Sequence, residues 1–215
     1  MSPPAASVAA RRKPARPVSR KRAAALRRRR RLRVLGVLGV LALLIVAVLP
    51  TLQRAVREFT LPLAYQDVIR EQAADKHLDP ALVAAVIYAE TKFDARTSAA
   101  GAEGLMQIMP ATALYLAKRS GATSFTTGDL ATPGVNIAYG TYYLRYLLDH
   151  YHGNLVEALA AYNGGLANVD RWVAARGRPL TVAAIPFPET RAYVERVLRA
   201  QKDYRRTYAT ELGYR

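Results

Sequence analysis

Cysteine is absent from the 215 residues, so the chain has no disulfide framework, no thiol nucleophile and no cysteine-based metal site. Histidine is nearly absent too. His77, His150 and His152 are the only three, they lack ligand-like spacing with carboxylates, and solvated helix ends and loops account for them. With no phosphate loop and no ligand cluster, no metal or organic cofactor is expected. Acid is scarce, 16 Asp and Glu against 32 Lys and Arg. Sustained period-two alternation is missing, which argues against sheet, and no internal repeat is evident. The single tryptophan, Trp172, shares a helical stripe with Val169 and Val173 and reads as core before it reads as a sugar platform.

The net charge of +16 suggests nucleic acid until its distribution is considered. Residues 1–33 hold thirteen of the basic residues and no acid, which leaves +3 for the remainder. This Ala-, Pro- and Arg-rich stretch is expected to be a disordered cytoplasmic tail against anionic lipid, with no nucleic acid bound. Val34 to Leu49 is an uncharged apolar run, and extending it to Leu52 gives about 28 Å of helix against a bilayer core of roughly 30 Å. A single-pass signal anchor is therefore expected at 34–52, inserted in the cytoplasmic membrane. The basic flank would stay inside and the C-terminal region would lie outside. A cleaved signal peptide competes, but its n-region would be long and Ala47-Val48-Leu49-Pro50 is a poor cleavage site. A connector at 53–62, a helical domain at 63–208 and a tail at 209–215 complete the division.

Within that domain the pattern is helix after helix, with candidates at 63–76, 80–92, 105–118, 134–150, 154–163, 166–175 and 188–207. Pro133, Gly153, Gly164-Gly165, Pro179, Pro186 and Pro188 punctuate them. The fold class is all-α. One helix stands out: Asp79 can cap it, Pro80 fits its first turn, and Val83, Val86, Ile87 and Glu90 fall on one stripe. Burial disfavours the charged carboxylate, so an acid on that stripe tends to keep its proton near neutral pH, as a general acid must. A glutamate frayed from the helix end into water is equally compatible with the helix alone. Gly101 and Gly104 then allow tight turns, and Leu105-Met106-Gln107-Ile108-Met109 sets one amide among soft apolar neighbours, a surface that suits a sugar.

Glu90-Thr91-Lys92-Phe93, Ser98-Ala99-Ala100-Gly101-Ala102-Glu103-Gly104, Leu105 to Pro110 and Ala111-Thr112-Ala113 together resemble the signature of the soluble lytic transglycosylase family. Thr91 stands where that family usually has serine and keeps the hydroxyl. Asn136 to Leu144, Ala158 to Gly165 and Pro186 to Val194 resemble three further family elements in order, so the likeness spans roughly 64–208. It implies a lysozyme-like helical fold. It also implies cleavage of the MurNAc–GlcNAc β-1,4 bond of peptidoglycan glycan strands, with a 1,6-anhydro-MurNAc product.

In that reading Glu90 is the single catalytic acid and then base. Ser98 lies near the N-acetyl group or the carboxylate, and Gln107 and Met109 line a sugar subsite, with Met106 in the core. Tyr143 faces the substrate, Tyr162 hydrogen-bonds Glu90, Asn163 supports the cleft, and Glu189 and Tyr193 shape its far side. A core aromatic is the plain alternative for Tyr162, and a helix salt bridge for Glu189. In the mechanism this resemblance implies, water is not the nucleophile and Asp94 and Glu103, the nearest other acids, have no stronger claim than solvated side chains, so water needs no second carboxylate to activate it. Hydrolysis of the same bond by a muramidase is the competing enzymatic reading, and a catalytically inactive wall-binding protein is the non-enzymatic one. Cell-wall synthesis or division proteins are the expected protein partners.

Overall fold

The computed structural model of the protein describes residues 20–214. Among the described residues eight α-helices run in the order α1 (Arg20–Thr60), α2 (Gln66–Asp75), α3 (Pro80–Thr91), α4 (Pro110–Ser120), α5 (Pro133–His150), α6 (Leu155–Gly164), α7 (Leu166–Arg176) and α8 (Pro188–Thr207). Short 3₁₀ turns at Thr127–Ala131 and Val182–Ala184 fill two of the connections. Among the described residues there is no strand, only an isolated antiparallel bridge between Glu103 and Ile108. The chain divides into two compact units, Met1–Ala55 and Val56–Arg215.

The first unit departs from expectation. Residues 1–19 of the expected disordered tail lie outside the described residues, whereas Arg20 onward is helical, consistent with the high helix propensity of Ala, Leu and Arg. Residues 34–52, expected to cross a membrane, belong to this same helix, and among the described residues no helix is long and apolar enough to cross a membrane. The anchor is therefore not supported. Its strictly apolar part, Val34 to Leu49, makes only about 24 Å of helix, and Pro50, Thr51 and Gln53 follow before Arg54. The connector expected at 53–62 is helical as far as Thr60.

In the second unit α3 is the central element. Asp79 accepts from the backbone N–H of Ala81 at 3.0 Å, Pro80 occupies the first turn, and every residue from Ala81 to Ile87 is buried. A helix apolar on all sides belongs in the middle of a domain. Its main partner is α8, which turns Tyr193, Val194, Val197, Ala200 and Tyr204 inward along one stripe. Full burial of a side chain such as Ile87 contributes about 1.5–3 kcal/mol over exposure. Helix α5 packs on α6, and α6 in turn on α7 and α8. The residues expected to trail as a tail from 209 are part of this core: Leu212 is buried, and the Tyr214 hydroxyl reaches Asp79 and the N–H of Ala81.

Two sequence boundaries shift for physical reasons. The helix expected from 105 begins only at Pro110, because Gln107 takes a left-handed backbone (φ 50°) and Glu103 and Ile108 exchange both backbone hydrogen bonds. Helix α3 stops at Thr91, because Lys92 and Phe93 are both left-handed (φ 53° and 66°).

Candidate active site

Glu90 is the penultimate residue of α3, at the point where the buried helix meets the loop 92–109. Burial pushes its carboxyl up from the usual 4.5 to about 7. The Tyr193 hydroxyl and the charges of Arg196 and Arg96 act in the opposite sense and offset only part of the rise. Tyr193 lies on α8 and is buried, and its hydroxyl acts on Glu90 without meeting any partner at full hydrogen-bonding geometry. Both tyrosines near the carboxylate, Tyr162 and Tyr193, have their phenols pushed well above the usual range, first by burial and then by the Glu90 charge. The site therefore holds a carboxyl that shares its proton near neutrality, among phenols that stay protonated.

The loop is held in place by its own backbone and by four polar side chains. The Arg96 carbonyl accepts from the Gly104 N–H at 3.0 Å and from Nε2 of Gln107 at 2.7 Å, while the Arg96 guanidinium donates to the Glu90 carbonyl at 3.2 Å. Thr91, buried, donates from Oγ1 to the Leu105 carbonyl at 2.8 Å, so the hydroxyl retained at this position ties helix to loop. Asn136 of α5, fully buried, accepts from the Met106 N–H at 2.8 Å and donates to the Glu103 and Leu130 carbonyls at 2.9 and 3.0 Å. Gly104 is left-handed (φ 74°), and a Cβ there would collide with the Asn136 amide, so glycine is required twice over.

An aromatic wall runs from this loop along α6 and α5. The Tyr162 hydroxyl donates to the Met106 carbonyl at 2.9 Å, not to the Glu90 carboxylate as expected. The carbonyl is the better-placed acceptor because Asn136 and Thr91 have already pinned the loop across the site. The Tyr143 ring leans on Tyr162 at 5.3 Å and stacks on Tyr146 at 6.3 Å, and burial raises the Tyr143 phenol to about 12.

The expected site residues thus fall into three groups. Glu90, Tyr162, Tyr193 and Tyr143 are brought together. Gln107, Ser98 and Met109 belong to the loop: Gln107 spends its amide hydrogens on the Arg96 and Gly104 carbonyls, and Ser98 Oγ accepts from the Ala102 N–H at 2.9 Å. Met109 is 42% exposed, whereas Met106 is buried in the core as expected. Asn163 and Glu189 are exposed at the end of α6 and the start of α8, and among the described residues neither makes a side-chain hydrogen bond. Arg96, Arg196 and Asn136 were not singled out for a role in the sequence. Arg196 could have been found three residues beyond Tyr193, on the same face of α8. Glu103 pairs with the Thr97 hydroxyl at 2.8 Å, and among the described residues no three His, Asp or Glu side chains gather as a metal set would.

A raised carboxyl at the end of a buried helix, a pinned loop and an aromatic wall make up one candidate acid–base site in an all-helical, lysozyme-like fold. Comparison with known proteins agrees. The chain belongs to the transglycosylase SLT domain family, which it matches over residues 67–183. It is 36% identical over 154 residues to the soluble lytic murein transglycosylase of Escherichia coli K12, which covers 69% of this chain and 24% of that protein. Lytic transglycosylase Slt of Pseudomonas aeruginosa, solved as an inactive mutant with glutamine in place of one glutamate, superposes with a TM-score of 0.67 at 32% identity, over 71% of this chain and 26% of that one. The 70 kDa soluble lytic transglycosylase of E. coli, also solved with bulgecin A, gives 0.66 at 34% identity, over 74% and 28%. The chain thus spans about a quarter of the length of these relatives.

Proposed function

We propose that the protein is a peptidoglycan lytic transglycosylase that cleaves the MurNAc–GlcNAc β-1,4 bond by non-hydrolytic ring closure. The observation that carries the reading is the single carboxyl, Glu90, raised to about 7 by burial. Protonated, it donates to the glycosidic oxygen, and the bond to C1 of the muramic residue breaks. The carboxylate left behind takes the proton of the C6 hydroxyl, whose oxygen bonds to C1 and closes the 1,6-anhydro ring. The proton lost in the first half is recovered in the second, so one residue serves as acid and base. A water-activating second carboxylate is not needed, and Glu103 is engaged with Thr97. The inactivity of the Pseudomonas relative after a glutamate-to-glutamine change supports a glutamate in this role.

In this reading Tyr143, Tyr162 and Met109 contact the sugars, Gln107 offers its remaining carbonyl oxygen, and Ser98 holds the loop turn. Asn163 and Glu189, exposed at neighbouring helix ends, extend the rim, and Tyr193 tunes Glu90. The substrate places the catalytic unit outside the cytoplasm, where wall synthesis or division proteins are its natural company. Mass spectrometry of peptidoglycan digested by the full chain tests the proposal: anhydro-muramic ends are expected, and reducing muramic ends would establish a hydrolytic muramidase instead.

A further inference from the structure

Beside Tyr143 on α5 a cavity opens. Tyr142, Arg145, Tyr146, Asp149 and His150 line it together with Arg119 of α4, around a volume of about 440 Å³. It continues the aromatic wall, since Tyr146 stacks on Tyr143, which in turn contacts Tyr162. Tyr115 meets the Tyr146 ring edge-on at 5.9 Å, and the Arg119 guanidinium lies 5.1 Å from the centre of that ring.

The charges here are only partly matched. Arg145 pairs with Asp149 at 2.6 Å through one terminal nitrogen, but its Nε is buried and has no hydrogen-bond partner. Buried N–H donors almost always have one. His150 pairs with Asp170 at 2.9 Å. Arg119 is exposed, and among the described residues no carboxylate pairs with it. An orphaned donor and an unpaired cation in one aromatic-walled cavity ask for an anionic acceptor. With Asp149 already at the rim, a singly charged planar carboxylate is repelled less than a doubly charged phosphate, and it matches the flat guanidinium fork.

We propose that this cavity holds a carboxylate of the stem peptide borne by the glycan strand, making Arg119 and Arg145 specificity determinants for stem-bearing substrate. The proposal rests on the transglycosylase reading above. A strand lying along Tyr162 and Tyr143 carries its stems covalently, so their carboxylates are presented to the cavity at high effective concentration.

The test uses the full chain and three substrates: strands with native stems, strands whose stem carboxylates are amidated, and strands stripped of stems by an amidase. Native stems are expected to be favoured roughly tenfold in kcat/KM through a lower KM, as one charge-assisted hydrogen bond would give. Amidated and stripped strands should be alike. Arg119→Gln, at an exposed position, should bring the three substrates together, and Arg119→Lys should restore part of the preference. Arg145→Gln should act in the same way, its thermal melt showing that the fold is kept. Equal cleavage of all three strands by the wild type, or an undiminished preference in Arg119→Gln, would overturn the stem site and leave the transglycosylase reading standing. Cleavage of none would overturn both.

Discussion

The Tyr162 hydroxyl donates to the Met106 carbonyl at 2.9 Å across 56 residues of sequence. The phenol nearest in kind to a catalytic partner therefore acts as a strut between α6 and the loop that faces Glu90. Tyr162→Phe leaves that carbonyl without its donor and should cost about 1–2 kcal/mol of stability, read as a lowered melting temperature. Because the lost bond is to backbone, the pH dependence of the reaction should hardly move. A large displacement would mean that Tyr162 bonds the carboxylate during turnover.

Glu90 links activity and stability to the same proton. Its carboxyl titrates near 4.5 when unfolded and at about 7 in the folded protein. The folded chain therefore keeps a proton that the unfolded chain has released. This contribution is complete below pH 4.5 and is lost as pH rises through 7. Glu90→Gln, permanently neutral, should be more stable than wild type by about 3 kcal/mol at pH 8 and no more stable at pH 4. Denaturant titrations at the two pH values measure this. The same variant should lose roughly 10²–10⁴-fold in rate, scored by release of soluble muropeptides.

The alkaline limb of kcat/KM should fall tenfold per pH unit above about 7, since only the protonated carboxyl can donate. Tyr193 holds that value down. Tyr193→Phe should therefore shift the limb to higher pH, with little loss of stability because its hydroxyl has no well-formed hydrogen bond to lose. A shift to lower pH would show that the phenol acts on Glu90 in the opposite sense.

Asn136 makes three hydrogen bonds from a fully buried position. Asn136→Ala strands the Met106 N–H and weakens the fit around Gly104, and should cost about 2–4 kcal/mol. Gly104→Ala meets the same wall from the other side and should be at least as damaging. If both variants melt with wild type, the loop is not clamped as described.

Most of the helical frame was legible because its boundaries carry local chemistry. Asp79-Pro80, Pro133, Asn154 and Pro188 open helices where their caps and rings allow, and Gly121 and Gly177 close them. Leu105 to Met109 fits the helical period but lies outside the helix, which Pro110 opens and Gly121 closes. The left-handed Gln107 is imposed by the Glu103–Ile108 bridge and by Asn136, a partner 30 residues from Met106. Glu90 was legible because its own helix buries it. The choice of Tyr193 over Tyr162 as the phenol acting on it depends on how α8 packs against α3, which no local pattern encodes.

The N-terminal cap of α3 has distant keepers. Asp79 caps Ala81, accepts from Gln201 Nε2 at 2.7 Å and lies 3.6 Å from Arg205, while Tyr214 reaches both Asp79 and the Ala81 N–H. These partners are made more than 120 residues after Asp79 itself. On the ribosome, α3 must wait for them, together with the face of α8 that buries it. A chain still in synthesis thus carries Glu90 without the packing that raises its carboxyl. The acid is armed only once the polypeptide has been made almost to Tyr214.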